Sequence, residues 1–187
     1  FGDAAIAGMS IVTRISFFTY AMVIGLGQGF QPLCGFCYGA KLYGRVKEAF
    51  FFCIKCGTVF LAVCALLGFI FSTSIISIFR DDAAVVAVGS VALRWQVLSF
   101  PLVASIVLTN MLMQTIRKPV RANIVAAARS GLFFIPLIFI LPYFFGLLGV
   151  EMCQMWADCC SFAVAVPIAW SAFRDMRREK MELGKSH

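Results

Sequence analysis

The feature that most constrains this chain is a series of five apolar segments, each long enough to cross a lipid bilayer. A helix needs about 20 apolar residues to cross about 30 Å of hydrocarbon. Strands standing alone in lipid would leave backbone groups without hydrogen bonds, so each segment is expected to be helical. The sequence therefore predicts an all-α, polytopic membrane helix bundle with five transmembrane helices, at about residues 4–38, 46–78, 83–116, 120–145 and 150–173.

The composition excludes an ordinary soluble domain. Hydrophobic residues make up 61% of the chain and charged residues 13%, against about 45–50% and about 25% in soluble domains. A compact water-soluble fold of this size has too little interior to bury so much apolar surface.

Basic residues are concentrated in every second connection between the spans. This pattern predicts how the chain is oriented in the membrane. Three lie in residues 41–47, three in residues 117–121 and five in the tail at residues 174–187, whereas the connections at 79–82 and 145–149 hold a single Arg80 between them. Under the positive-inside rule the basic side is cytoplasmic. The tail is then a basic cytoplasmic tail, and Phe1 starts outside. Phe1, in place of Met, is interpreted as a cut within a longer protein.

Nucleic acid is not an expected partner, because the basic residues form short clusters at span ends and no stripe interleaved with stacking aromatics. The cysteines do not predict a metal site either. Two CxxC pairs, Cys34/Cys37 and Cys53/Cys56, resemble zinc-ligand spacing, but both lie in apolar helix-length runs where cysteine commonly packs as a small hydrophobe. No cofactor is predicted.

Charged side chains at membrane depth are candidates for function, because burying them is costly. Six lie within the predicted spans: Arg14, Lys55, Arg94, Arg129, Glu151 and Asp158. Two alternatives fit them, a water-filled cavity or pairing with a carboxylate. Asp158 is placed to meet Arg129 of the preceding span, and an ion pair is slightly favoured over a coupling-ion ligand for that acid.

Amide side chains form further polar stripes at helical spacing. The third span carries Gln96, Ser99, Asn110 and Gln114, the first carries Gln28 and Gln31, and the fifth carries Glu151, Gln154, Asp158 and Ser161. A single amide is at least as well explained by hydrogen bonding between helices. Several stripes together favour a polar cavity, and the candidate substrate-cavity residues are Gln28, Gln31, Gln96, Asn110 and Gln114.

Enzyme chemistry is not expected. The single histidine, His187, lies at the end of the chain, so no catalytic constellation based on histidine is possible, and no nucleophile elbow or zinc-protease motif is present. Proline within the later spans and glycine within the first predict bent, closely packed helices, which suit a transporter better than a rigid anchor.

Several motifs, taken together, resemble the multidrug and toxic compound extrusion (MATE) antiporters. Residues 25–40 match the family pattern G-x-x-Q-G-x-x-P-x-x-G-x-x-x-G-A. Residues 113–118 and 128–136 resemble the motifs at the ends of the family's tenth and eleventh helices, and residues 146–150 with 156–158 resemble the start of its twelfth. The resemblance runs in family order through nearly the whole chain.

The resemblance implies that the chain is helices eight to twelve of a twelve-helix protein, most of its C-terminal lobe. It further implies export of cationic or amphipathic compounds in exchange for sodium ions or protons by alternating access, across a bacterial cytoplasmic membrane. The middle of the third span carries no acidic residue, so no coupling-ion ligand can be carried over. The expected partners are small cationic substrates, membrane lipids and the N-terminal lobe.

Two alternatives stay open. The first is a flippase for a lipid-linked sugar, from the same superfamily. Such a protein requires a large cationic cavity, and Arg14, Arg94 and Arg129 within the spans are compatible with one. A membrane scaffold without transport is the other, because half a transporter cannot alternate access.

Overall fold

The computed structural model describes residues 3–185, so the predictions made for Phe1 and His187 lie outside the described residues. The chain folds into helices throughout, and their bounds in order are α1 Asp3–Gly39, α2 Tyr43–Ile70, α3 Ser72–Phe79, α4 Ala83–Thr115, α5 Pro119–Ala127, a π-helical turn Ala128–Leu132, α6 Phe134–Phe145 and α7 Leu147–Lys185. The predicted all-α helix bundle is confirmed.

Four of the predicted spans have a helix long and apolar enough to cross a membrane: α1, α2, α4 and most of α7. The remaining one has the shorter apolar helix α6, which at 12 residues is about 18 Å long and too short to span alone. The chain thus has four to five candidate spans, as its hydropathy indicates.

Helix α4 is the centre of the bundle, because α1, α2, α3, α5 and α7 all pack against it. In its most apolar stretch 56% of the residues are buried, against 22% in α1 and in α2. The outer helices therefore present most of their apolar side chains outward, as Phe18, Phe36 and Phe139 do. In a membrane protein such surfaces face lipid.

The predicted second span, residues 46–78, is wrong as a single helix. Helix α2 ends at Ile70, and a shorter helix, α3, follows the turn at Phe71. The break has a physical reason in Arg94 of α4, whose Nε donates a hydrogen bond of 2.8 Å to Oγ of the fully buried Ser72. Arg94 is exposed on this side of α4, and the turn gives its charge a polar contact at membrane depth.

The predicted fourth span, residues 120–145, is likewise interrupted. Its backbone passes from α5 through the π-helical turn Ala128–Leu132 into α6. A π-helical turn inserts an extra residue into the helical repeat and often marks a functional site. Arg129 lies in this turn.

The connection from α6 to α7 is a tight turn that requires glycine. Gly146 has φ of 59° and ψ of −130°, a backbone conformation that side chains with a Cβ rarely adopt. The turn allows α6 and α7 to pack directly against each other, and Cys153 Sγ of α7 lies 3.3 Å from the Leu137 carbonyl oxygen of α6.

The basic segments lie together at one end of the bundle. Helix α7 continues beyond the predicted fifth span to Lys185, so the predicted tail begins as a helix. Its Asp175 forms ion pairs with Lys118 and with Arg121, the latter at 2.9 Å. Tyr43, at the start of α2, donates a hydrogen bond of 2.8 Å to Glu179.

The core at this basic end contains three of the four cysteines from the two CxxC pairs. Cys34, Cys37 and Cys53 are buried beside Phe30 and Phe50, whereas Cys56 of the second pair is exposed. Their packing among apolar side chains agrees with the interpretation of these cysteines as small hydrophobes.

Candidate functional site

A buried carboxylate forms the centre of the main polar site. Asp158 of α7 has no exposed surface, and it accepts three hydrogen bonds: 2.9 Å from Arg129 Nε, 2.8 Å from Ser99 Oγ and 3.2 Å from Gln154 Nε2. The ion pair of Arg129 with Asp158, slightly favoured from the sequence, is therefore present. Charged hydrogen bonds of this kind are needed to hold a carboxylate away from water.

Two further residues extend this site towards α1. Gln96 of α4 is buried, and its Nε2 donates to the Tyr20 hydroxyl at 2.9 Å. The Tyr20 ring lies 4.8 Å from the Arg129 guanidinium carbon and packs edge-on against Phe100. We call these residues the central polar cluster: Tyr20, Gln96, Ser99, Arg129, Gln154 and Asp158.

The helices position the cluster in a way the sequence explains. Ser99 lies three residues after Gln96 on α4, and Asp158 lies four after Gln154 on α7, so each pair shares one helix face. The π-helical turn carries Arg129 over the Tyr20 ring. The positive charge of Arg129 and the negative charge of Asp158 cancel, so the cluster is polar but carries no net charge.

The cluster forms one wall of an open cleft of about 430 Å³ between α1 and the α6–α7 pair. The other walls are largely apolar, and they include Met9, Phe17, Phe134 and Ile138. Phe17 is 70% exposed. A cleft with aromatic walls and a few polar groups at one side is typical of sites for small amphipathic molecules.

Two buried polar atoms close to the cleft have no hydrogen-bond partner in the described part of the chain, Ser16 Oγ and Glu151 Oε2. Ser16 lines the cleft, and Glu151 lies beside the lining residue Val150. Buried polar atoms are nearly always hydrogen-bonded in native proteins. Ser16 Oγ is therefore a place where water or a ligand group in the cleft would be stabilised.

A second polar site lies farther along α4, and we call it the amide cluster: Gln31, Asn110 and Gln114. Gln114 Nε2 donates to Asn110 Oδ1 at 2.6 Å, and Gln31 Nε2 lies 3.4 Å from Gln114 Oε1. Gln114 is exposed. Since Asn110 lies fourteen residues after Gln96, the two clusters are about 20 Å apart along the helix.

The structure does not bring the other predicted site residues into either cluster. Gln28 is exposed and forms no hydrogen bond with a side chain that the structure describes. Arg14 is also exposed, without an ion pair to any described residue. Arg94 lies on the α3 side of α4, where it contacts Ser72 and the Phe69 ring. The three arginines Arg14, Arg94 and Arg129 therefore do not line one common cavity within residues 3–185.

Sequence reasoning missed Tyr20. The signal for it was present, because a tyrosine hydroxyl at bilayer depth requires a hydrogen-bond partner and Gln96 is an amide in a neighbouring span. It also missed Asp175, an acid amid the basic residues of the tail, which pairs with Lys118 and Arg121.

Comparison with known proteins agrees with this architecture. The chain is 27% identical over 184 residues to the multidrug export protein MepA of Staphylococcus saprophyticus, a match that covers 98% of this chain and 40% of the relative. It is 29% identical over 171 residues to MepA of Staphylococcus aureus strain N315, covering 91% of this chain and 37% of the relative. The chain thus spans about 40% of the length of the curated relatives it matches.

Solved transporter structures share its fold. The bent form of the Vibrio cholerae MATE transporter VcmN superposes with a TM-score of 0.88 at 20% identity, covering 94% of this chain and 40% of VcmN. An outward-facing MATE family transporter superposes with a TM-score of 0.87 at 17% identity, covering 95% of this chain and 40% of that one.

The family itself is shown by the MatE family model, which matches residues 1–140, more than half of the chain. Its relatives are membrane transporters and export proteins, so the prediction that the chain is not an enzyme is confirmed. By this match, the chain belongs to the MatE family of multi-pass membrane transporters.

Proposed function

We propose that the chain is most of the C-terminal lobe of a secondary-active multidrug efflux antiporter. The complete protein exports cationic or amphipathic compounds in exchange for sodium ions or protons by alternating access. It lies in a bacterial cytoplasmic membrane, with the basic end of the bundle and the C-terminus on the cytoplasmic side, as the positive-inside rule favours.

The assignment to the C-terminal lobe rests on the order of the sequence motifs. Residues 25–40, 128–136 and 146–158 resemble, in this order, segments of the family's eighth, eleventh and twelfth helices. Reading the coding region upstream of Phe1 tests the assignment. Six or seven further spans there would support it, and a start codon immediately before Phe1 would refute it.

The observation that carries the export function is the cleft beside the central polar cluster. Its Phe17 and Phe134 rings and Met9 offer polarisable apolar contact to a flat amphipathic molecule. Aromatic faces also attract cations. Because Asp158 neutralises Arg129 at 2.9 Å, the arginine presents little net positive charge to repel a cationic compound.

The amide cluster supplies a second surface for substrate, nearer the basic end. Gln31, Asn110 and Gln114 hydrogen-bond one another, and Gln114 remains open to its surroundings. Neutral amides bind varied polar groups without selecting one charge pattern, which suits a transporter of chemically diverse compounds. Gln28 lies one helical turn before Gln31 and is exposed, although it makes no hydrogen bond with the described members of this cluster.

The flippase alternative receives less support. A large cationic cavity for a lipid-linked sugar would need arginines that converge, whereas Arg94 contacts Ser72 on the far side of α4 from the cleft. The drug-export proposal is therefore preferred.

A dye-efflux assay tests the proposal with the full-length protein. Cells or inverted vesicles that contain it are expected to lower the accumulation of ethidium, and the efflux is expected to depend on a sodium or proton gradient. Addition of an ionophore that collapses each gradient in turn identifies the coupling ion. An absence of ion-dependent efflux for ethidium and for other cationic dyes would refute drug export.

A further inference from the structure

A groove at the basic end of the bundle has no role in the proposed transport cycle. It lies between the start of α2 and the extension of α7, and its volume is about 670 Å³. Helix α2 contributes Tyr43, Lys47 and Phe51, and α7 contributes residues from Trp170 to Lys180. The groove combines a cationic part with an aromatic part.

The cationic part contains Lys47, Arg174, Arg177 and Lys180. On α7 these residues follow one another at intervals of three, so they share one side of the helix. Among the described residues, none of the four forms an ion pair. The groove therefore carries an excess of positive charge.

Two acids of α7 near the groove contact other groups. Asp175 pairs with Lys118 and Arg121, which lie outside the groove, and Glu179 accepts the hydrogen bond of 2.8 Å from Tyr43. These contacts hold α7 against the α4–α5 connection and the start of α2. The hydrogen bond from Tyr43 leaves the charge of Glu179 in place, but the four cations outnumber this acid.

The aromatic part adjoins the cations directly. The Phe51 and Phe173 rings stack with centroids 5.9 Å apart and 22° between their planes, and Lys47 Nζ lies 5.9 Å from the Phe51 centroid. Trp170 is 76% exposed and Phe51 52%. Tryptophan is enriched where a membrane helix meets the headgroup region, so this wall is expected at the depth of the first acyl carbons.

We propose that this groove is a binding site for an anionic phospholipid. The phosphate of the headgroup binds Arg174, Arg177, Lys180 and Lys47, and the start of an acyl chain packs on Trp170 and Phe51. Guanidinium groups bind phosphate oxygens through paired hydrogen bonds, and basic pockets between membrane helices bind anionic headgroups. A freely soluble anion has no apolar part that could pack against the aromatic wall. In the proposed orientation the lipid belongs to the cytoplasmic leaflet.

The test uses native mass spectrometry of the full-length protein in detergent, with added phosphatidylglycerol or phosphatidylcholine. The groove variant is Lys47→Gln, Arg174→Gln and Arg177→Gln. The matched control is Lys41→Gln, Arg45→Gln and Arg178→Gln, which removes the same charge from exposed positions at the same end but outside the groove.

The protein and the control variant are expected to retain phosphatidylglycerol in preference to phosphatidylcholine. The groove variant is expected to bind phosphatidylglycerol at least about tenfold more weakly, since each basic residue near the surface adds to the attraction for anionic lipid. If the triple variant does not fold, the single exchanges Arg177→Gln and Arg178→Gln provide the same comparison, and Trp170→Ala tests the aromatic wall.

Three results would overturn the proposal. Equal losses in the groove and control variants would show attraction by charge alone, and equal retention of the two lipids would show that the headgroup is not recognised. Displacement of bound phosphatidylglycerol by inorganic phosphate at equal concentration would assign the groove to a soluble anion.

Discussion

The central polar cluster and the amide cluster both include residues of α4, but they differ in burial and in charge. In the central cluster Asp158 and Ser99 have no exposed surface, and an ion pair supplies the polar contacts. In the amide cluster all three side chains are neutral, and Gln114 is exposed. In the central cluster the hydrogen bonds of the buried carboxylate come from protein groups in place of water. In the amide cluster the exposed Gln114 can hydrogen-bond with water or with a ligand.

This difference predicts a division of roles. A buried charge that loses its partner is strongly destabilising, because the remaining charge has no water to stabilise it. An exposed amide that is removed costs little, because water replaces its hydrogen bonds. The central cluster should therefore maintain the packing of α4, α6 and α7, and with it the shape of the adjoining cleft proposed for substrate, and the amide cluster should be free to contact substrate directly.

The largest effect is expected from Arg129→Leu, which leaves Asp158 buried and unpaired. We expect a loss of about 3–5 kcal/mol in the free energy of unfolding, seen as a lower melting temperature of the full-length protein in detergent. The double variant Arg129→Leu/Asp158→Leu removes both charges and should recover much of that loss. A single variant as stable as the original protein would show that the pair is not desolvated as described.

A smaller effect is expected from Ser99→Ala, which removes one of three hydrogen bonds to Asp158. A hydrogen bond to a charged group contributes about 1.5–3 kcal/mol, so the melting temperature should fall, but less than for Arg129→Leu. Ser10→Ala is the control, because Ser10 is exposed and bonds its own helix at the Ile6 carbonyl. Equal effects at the two serines would argue against a special role for Ser99.

Next in size is Asp175→Asn, which breaks the two ion pairs at the basic end. Asp175 retains 32% of its side-chain exposure, so the loss should be about 1 kcal/mol or less and should shrink as salt is added. Asp81→Asn, an exposed acid at the other end of the bundle, is the control and should have no measurable effect. A loss that is independent of salt would contradict this assignment.

The smallest effect on stability is expected from Gln114→Ala. The side chain is exposed, and exchanges at such positions usually change the free energy of unfolding by less than about 0.5 kcal/mol. Thermal unfolding of the full-length protein measures it. A loss comparable with that of Ser99→Ala would show that the two clusters are equally structural.

The sequence slightly favoured one contact that a buried charge requires, while it left alternatives open. Asp158 and Arg129 lie in consecutive spans at membrane depth, and the cost of leaving either unpaired indicates the ion pair before any coordinates. Long apolar runs similarly indicate the extents of α1, α4 and most of α7, because the few charged residues within them do not end the run.

The breaks in the helices were not predictable from the sequence by the same reasoning. Residues 46–78 are mostly apolar, and the one local sign of the turn is the run of hydroxyl side chains Ser72, Thr73 and Ser74 directly after Phe71. Such residues also occur inside membrane helices, and the turn accompanies the contact of Ser72 with Arg94 of another helix. The π-helical turn at Ala128–Leu132 is a similar case. The stripe on α4 predicted one polar face, but the partners Tyr20 and Gln31, both on α1, divide it into two clusters.

The most direct test of the account measures dye efflux and melting temperature together, in one full-length protein with one variant from each cluster. The double variant Gln31→Ala/Gln114→Ala is expected to keep the melting temperature and lose ion-dependent ethidium efflux, while Ser99→Ala is expected to lower the melting temperature. Undiminished efflux in the amide variant, at unchanged melting temperature, would contradict the proposal that these amides contact substrate.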